Sequence, residues 1–412
     1  MRGRARFVRA VAAVAFVGGL AFAEAPTPAP TPSPERIARL RREIAELEAL
    51  LPSVPDRGAV LCSIARNLAD AGEMAGALAR LKQCVELDEG FDPSVSPRYQ
   101  PLHGKPEFDG LVARAREKFP PVSRARLAFT VAEKDLIPEG LAFDGKNDLF
   151  YMGSIYRCKI VRITRDGKVS DLFPAGRDKL FPIVGVRVDP SDATIWAATS
   201  DDDGHSELIH VDRSGRLIGR YAPPATGEKS DFNDLAVRQN GEVFVTDYSA
   251  KRVYRFDPAI RTLSNFVAGR TFLHPNGIAF SADFGSLFVA DDLGVRRIDM
   301  SSGASVDIVP AKATLSRIDG LYWHRGSLVA VQNGIGPARV VAFRLSADQN
   351  RVTQTTVLEY RTPLTDETPT TGAVAGEDFY FISNSQVDNI QDGKILDPSK
   401  LSPIRIGVVR LP

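Results

Sequence analysis

The period of apolar and polar positions changes three times along this chain. The first 23 residues place Arg2, Arg4, Arg6 and Arg9 before an apolar run from Ala10 to Phe22 and a small-x-small site at Ala21-Phe22-Ala23. That order predicts a secretory signal peptide over 1–23, cleaved after Ala23, and hence a periplasmic or secreted protein. The run is shorter than the ~20 residues of a membrane-spanning helix, and no later stretch can replace it. Residues 24–34, EAPTPAPTPSP, predict an extended Pro-rich linker. From 35 to 120 apolar residues recur three and four apart, which predicts helices over 35–51, 59–72, 73–90 and 105–119.

From about Arg126 the pattern switches to short alternating strands punctuated by Gly, Asp, Asn and Pro. Six stretches share one order: a slot residue, usually a glycine, a short apolar strand, a turn and a second strand rich in Phe, Val and Ala. The slots hold Glu139, Val184, Asn233, Asn276, Asp319 and Thr371, spaced by 45, 49, 43, 43 and 52 residues. Repeats of ~40 to 50 residues with four strands each mark the blades of a β-propeller, so residues 124–412 are expected to form an all-β, six-bladed propeller behind the N-terminal α-helical segment. The last repeat is one strand short, and ARLAFTV (125–131) has no partner. Pairing the two would close the ring and remove an exposed edge.

In a propeller the first strand of each blade lines the central channel, so the slots form a ring at one mouth. Glu139, Asn233, Asn276 and Asp319 offer two carboxylates and two amide oxygens. An all-oxygen set without histidine or thiolate suits a hard divalent cation, with Ca²⁺ favoured over Zn²⁺. Val184 and Thr371 leave the rest of the ring to water and substrate. Taken one at a time, Asn-Gly and Asp-Gly are turn formers; four oxygen ligands at one register argue for a metal site. His274 precedes Asn276 at the same mouth and is a candidate catalytic residue beside Asp319. Asp201, His205, Thr371 and Asn384 are candidates for contacting substrate, and the stretch 384–403 has the length of a lid.

Composition narrows the class further. Lys and Arg number 52 against 51 Asp and Glu, and loss of the four leader arginines leaves 48 against 51, a net charge of −3. Nothing in that balance favours nucleic acid or an anionic membrane surface. Cys62, Cys84 and Cys158 are too few for a disulfide scaffold, although Cys62 and Cys84 flank the turn near Gly72 at distances a bridge could span.

Two resemblances follow from these residues. Leu61, Ile64, Ala65, Leu68, Gly72, Ala77, Leu81 and Cys84 resemble one tetratricopeptide unit, which makes 35–120 a candidate surface for a protein partner. PEGLAF, HPNGIAF and IDGLYW, with the ligand order Glu, Asn, Asn, Asp in blades one, three, four and five, resemble the calcium-dependent six-bladed propellers that include gluconolactonase (senescence marker protein), paraoxonase and diisopropylfluorophosphatase. The resemblance implies a Ca²⁺ that polarises a lactone carbonyl or phosphoryl oxygen, with Asp319 as general base or nucleophile and a small-molecule substrate. It also implies histidine near the metal, whereas the sixth slot holds Thr371. A non-catalytic binding module with a structural Ca²⁺ would carry the same ligands.

Overall fold

A computed structural model describes residues 33–266 and 271–412; the leader over 1–23 and nearly all of the linker fall outside the described residues. Six four-stranded antiparallel units succeed one another, with innermost strands Leu141–Asp144, Ile183–Val188, Phe232–Val237, Ile278–Phe280, Gly320–His324 and Gly372–Ala375. Each innermost strand contacts the next, and the sixth contacts the first, so the ring is closed. Closure is made by Arg126–Val131, which pairs with the last strand Ile404–Arg410 in the order that completes blade six. Blade five gains a fifth, outermost strand, Val122–Ser123. The fold is a six-bladed β-propeller.

Alternation explains the packing. Apolar residues of one blade face those of the next, as where Phe129, Val131 and Tyr380 of blade six meet Phe150 and Ile163 of blade one. The glycine after the slot has a reason of its own. A Cβ on Gly185 would lie 2.5 Å from the Asn233 carbonyl oxygen, and one on Gly277 would lie 2.9 Å from that of Asp319. Innermost strands therefore approach more closely than a side chain permits. Five of the six slots are followed by glycine, and the third is followed by Asp234.

Among the described residues four α-helices precede the ring: α1 Pro34–Leu50, α2 Arg57–Asp70, α3 Met74–Glu86 and α4 Pro106–Lys118. None is long and apolar enough to cross a membrane. Ala65, Ala69 and Ala77 let α2 and α3 pack closely over Leu81, Tyr99 and Phe108, and Cys62 and Cys84 are bridged across the pair. The helices sit against the propeller. Leu293 joins Ile44, Leu47, Val54, Val60 and Ile64 in one apolar cluster. Asp56 caps α2 by accepting from the Ala59 N–H (3.2 Å), and its second oxygen accepts from the Thr314 hydroxyl (2.8 Å) and the Leu315 N–H (2.6 Å).

That junction buries acidic groups. Burial, and then the neighbouring Asp56 charge, push the Glu89 carboxyl up to about 8, while Arg339 opposes the shift. A carboxyl raised above its unfolded value contributes stability that is complete below the unfolded pKa and is lost as pH rises through the folded one. Stability should therefore fall between about pH 4.5 and 8 on this account. Glu89→Gln is expected to flatten that slope and to gain about 1–2 kcal/mol at pH 8 relative to wild type, read from urea unfolding at several pH values. A slope unchanged by the substitution would show that Glu89 is not the group responsible.

Candidate functional site

Glu139, Asn233, Asn276 and Asp319 all line one cavity of about 490 Å³ at the mouth of the channel. The cavity also presents five further carboxylates, among them Asp201, Asp231 and Asp292, against three fixed cations, Arg39, Lys229 and Arg317. Such a wall attracts a cation before any ligand geometry is considered. Among the described residues no group of three or more His, Cys, Asp and Glu side chains is arranged to hold a metal. A cation placed here would depend on amide oxygens as well as carboxylates, the mixture the slots supply.

Asp319 stands at the start of the fifth innermost strand and is 3% exposed. One oxygen accepts from the Asn276 side-chain amide (3.1 Å) and the other from that of Asn333 (2.5 Å). Burial pushes its pKa up to about 6, the two amides oppose the shift, and the charge of nearby Asp234 adds to it. The Asn276 contact answers what that Asn-Gly is for. Its NH₂ is committed to a carboxylate, and its Oδ1 is buried with no hydrogen-bond partner. A buried acceptor left without a donor costs about 1–3 kcal/mol. The electron-pair donor fits a hard cation, and the residues present pass that test.

Around the four, the other sequence candidates separate. Thr371 donates its hydroxyl to the backbone carbonyl of Glu139, tying the sixth slot to the first, and is buried. His274 lines the cavity with φ +54°, stacks on Tyr248 at 4.6 Å and sits 3.1 Å from Asp292 through Nδ1. Burial raises Asp292, but Arg317 and His274 outweigh it and hold the carboxyl well below its usual range. Asp201 lines the cavity and accepts from His205 (2.9 Å), whose ring lies outward, stacked on Phe181. Asn384 is fully buried and faces the loop instead: it donates to Ser402 Oγ and the Pro403 carbonyl and accepts from the Arg405 N–H. Over 384–403 the chain forms a small hairpin, Ile390–Gln391 with Lys394–Ile395. Val387 packs it on Ile137 and Ile155, beside a second cavity of about 310 Å³ that shares Glu139 with the first.

Asn333 and Asp234 escaped the sequence reading. Asn333 follows the second strand of blade five in QNG, and an Asn-Gly at that end of a blade was the available signal. Asp234 was visible as the one exception to the slot-glycine rule. Its carboxylate, 1% exposed, pairs with Arg187 at 2.7 Å and accepts from its own strand at Leu235 N–H. Burial lifts it to about 6, with Arg187 opposing. Arg187 in turn lies 5.0 Å from the Tyr322 ring centre, and Tyr322 accepts from the Gly372 N–H (2.7 Å). A buried chain of polar groups thus crosses the channel below the slots.

The fold and this mouth define a closed six-bladed propeller with an acidic, amide-lined channel. No protein-family profile matches the chain, and neither does any curated protein. Solved structures do. A gluconolactonase from Xanthomonas campestris aligns over 71% of this chain and 97% of its own at 16% identity, with a TM-score of 0.49. The PQQ-bound aldose sugar dehydrogenase of Streptomyces coelicolor aligns over 70% and 99% at 14% identity and 0.48. Virginiamycin B lyase of Staphylococcus aureus aligns over 70% and 100% at 16% identity and 0.48. At these identities and scores the likenesses carry no conclusion about activity.

Proposed function

We propose that this protein is an exported, calcium-dependent hydrolase of lactones or related esters, phosphoesters included, working at the channel mouth. One observation carries the reading: a buried amide oxygen, Asn276 Oδ1, has no donor and shares its cavity with Glu139, Asn233 and Asp319. Two carboxylates would neutralise a Ca²⁺ ion, and two amides would add oxygens without further like charge. When bound, the ion would supply Lewis acidity toward a carbonyl or phosphoryl oxygen.

The chain's own groups supply the rest. Asp319 is held at both oxygens by amides that fix its plane, so it is oriented for attack on an ester carbon or for taking a proton from water. Asn333 and Asn276 are the positioning residues. His274, braced by Asp292 and Tyr248, forms one side wall. Apolar Val387 and Ile390 beside Glu139 line the opposite annex. The tetratricopeptide-like reading of 35–120 enters here as a wall of the site, since Arg39 of α1 reaches the cavity, and as the surface a protein partner would use.

A binding module with a structural Ca²⁺ is the competing reading, favoured by one fact: both Asp319 oxygens already accept hydrogen bonds. A panel of lactones, aryl esters and phosphotriesters assayed with calcium and after its removal separates the two. Turnover that disappears with calcium and returns on its addition is expected. Calcium binding without turnover of any member would sink the hydrolase and leave the module.

A further inference from the structure

The helices and the propeller together line a further, smaller cavity of about 80 Å³ that shares Arg317 and Gly334 with the channel cavity. Two guanidinium groups come together there. Arg317, from the strand approach to Asp319, donates to Ser63 of α2 and pairs with Asp292 at 3.2 Å. Arg66, one turn further along α2, lines the cavity and makes no hydrogen bond or ion pair among the described residues. Three nearby carboxylates are already engaged: Asp292 by Arg317 and His274, Asp70 by Arg98 at 2.7 Å, and Asp92 by Arg361. A half-buried cation that faces another and shares its nearest counter-charge, Asp292, with Arg317 and His274 is costly. Burial, and next the Arg317 charge, bring the Arg66 guanidinium down to about 10, with Asp292 opposing. Gly334 lies against Arg317 so closely that a Cβ there would stand 2.7 Å from Arg317 Cβ.

We propose that this junction is a subsite for an anionic group, a carboxylate or a phosphate, borne by the substrate whose reactive bond lies at Asp319. Arg66 and Arg317 present planar donors suited to a two-oxygen acceptor, and the shared wall leads from them to the slot residues. The subsite rests on the hydrolase reading for its second half only. Its location explains why the helical segment is docked on this face: α2 contributes the specificity-determining Arg66, which the ring itself lacks.

Two arms test it. In the first, inorganic phosphate and glutarate are titrated calorimetrically into protein freed of divalent cations on a chelating resin. Binding is expected to weaken by about tenfold or more in Arg66→Gln, as for loss of a charged hydrogen bond, with Arg66→Lys between the two. No binding by wild type, or equal binding by wild type and Arg66→Gln, would overturn the subsite. In the second arm, kcat/KM is compared for a neutral γ-lactone and the same lactone bearing a carboxylate. The ratio favouring the charged substrate should fall about tenfold or more in Arg66→Gln, through KM rather than kcat. A ratio that stays constant overturns the assignment to substrate, even where free phosphate binds. Success in the first arm with no lactone turned over keeps the anion site and removes the hydrolase. If Arg66→Gln does not fold, the wild-type ratio measured as salt rises decides: it must drop toward unity, and a salt-independent ratio contradicts the proposal.

Discussion

Asp319→Asn is expected to lower turnover of any lactone or ester by about 10³-fold or more, the scale on which a positioned base or nucleophile acts, while the protein stays folded. The substitution preserves shape. It removes the charge that would ligate Ca²⁺ and the lone pair that would attack or accept a proton. Without calcium it also removes a cost, because Asp319 is buried and lies within the field of Asp234. Metal-free Asp319→Asn should therefore melt at or above the wild-type temperature, yet calcium should no longer raise that temperature. A variant that keeps more than about a tenth of the wild-type kcat/KM would place the chemistry on another residue. His274, at the cavity wall, is then the one to replace next.

The largest stability effect is expected from Arg187→Met, at about 3–5 kcal/mol in urea unfolding, because removing one partner of a buried ion pair leaves the other charge uncompensated. Asp234 occupies the position that the other five blades give to glycine, so its carboxylate has nowhere to turn toward solvent. Its partners are Arg187 and backbone N–H groups. Combining Arg187→Met with Asp234→Asn should recover most of the loss, since the two residues act as one unit. If the double variant is as unstable as the sum of both singles, the pair is not coupled and the polar chain below the slots does not hold the inner strands.

The blades were legible because each is a local object: a period-two pattern, a turn and a fixed slot repeat in sequence as they do in space. The helices of 35–120 were legible for the same reason, within a residue or two at most ends and four at the end of α3, which stops at Glu86. Closure by Arg126–Val131 followed from counting strands. The placement of the helices over the channel mouth was not legible, since it depends on Asp56 and Asp92 finding Thr314, Leu315, Gly336 and Arg361 more than 200 residues away. The ring of slots could be read from the repeat, but the state of each side chain could not. That Thr371 binds a backbone carbonyl, that Asn384 pins a loop and that His205 turns outward are outcomes of packing between neighbouring blades. Asn333 acts across elements, donating to Asp319 and to the Pro369 carbonyl, and no short window of sequence contains both partners.

In the proposed site one Ca²⁺ is held by Glu139, Asn233, Asn276 and Asp319. Calcium content, measured by elemental analysis after equilibrium dialysis at micromolar free Ca²⁺, tests it most directly. One ion per chain is expected in the wild type and none in Glu139→Gln/Asp319→Asn. A wild type that binds no calcium, or a double variant that binds as much as the wild type, would contradict it.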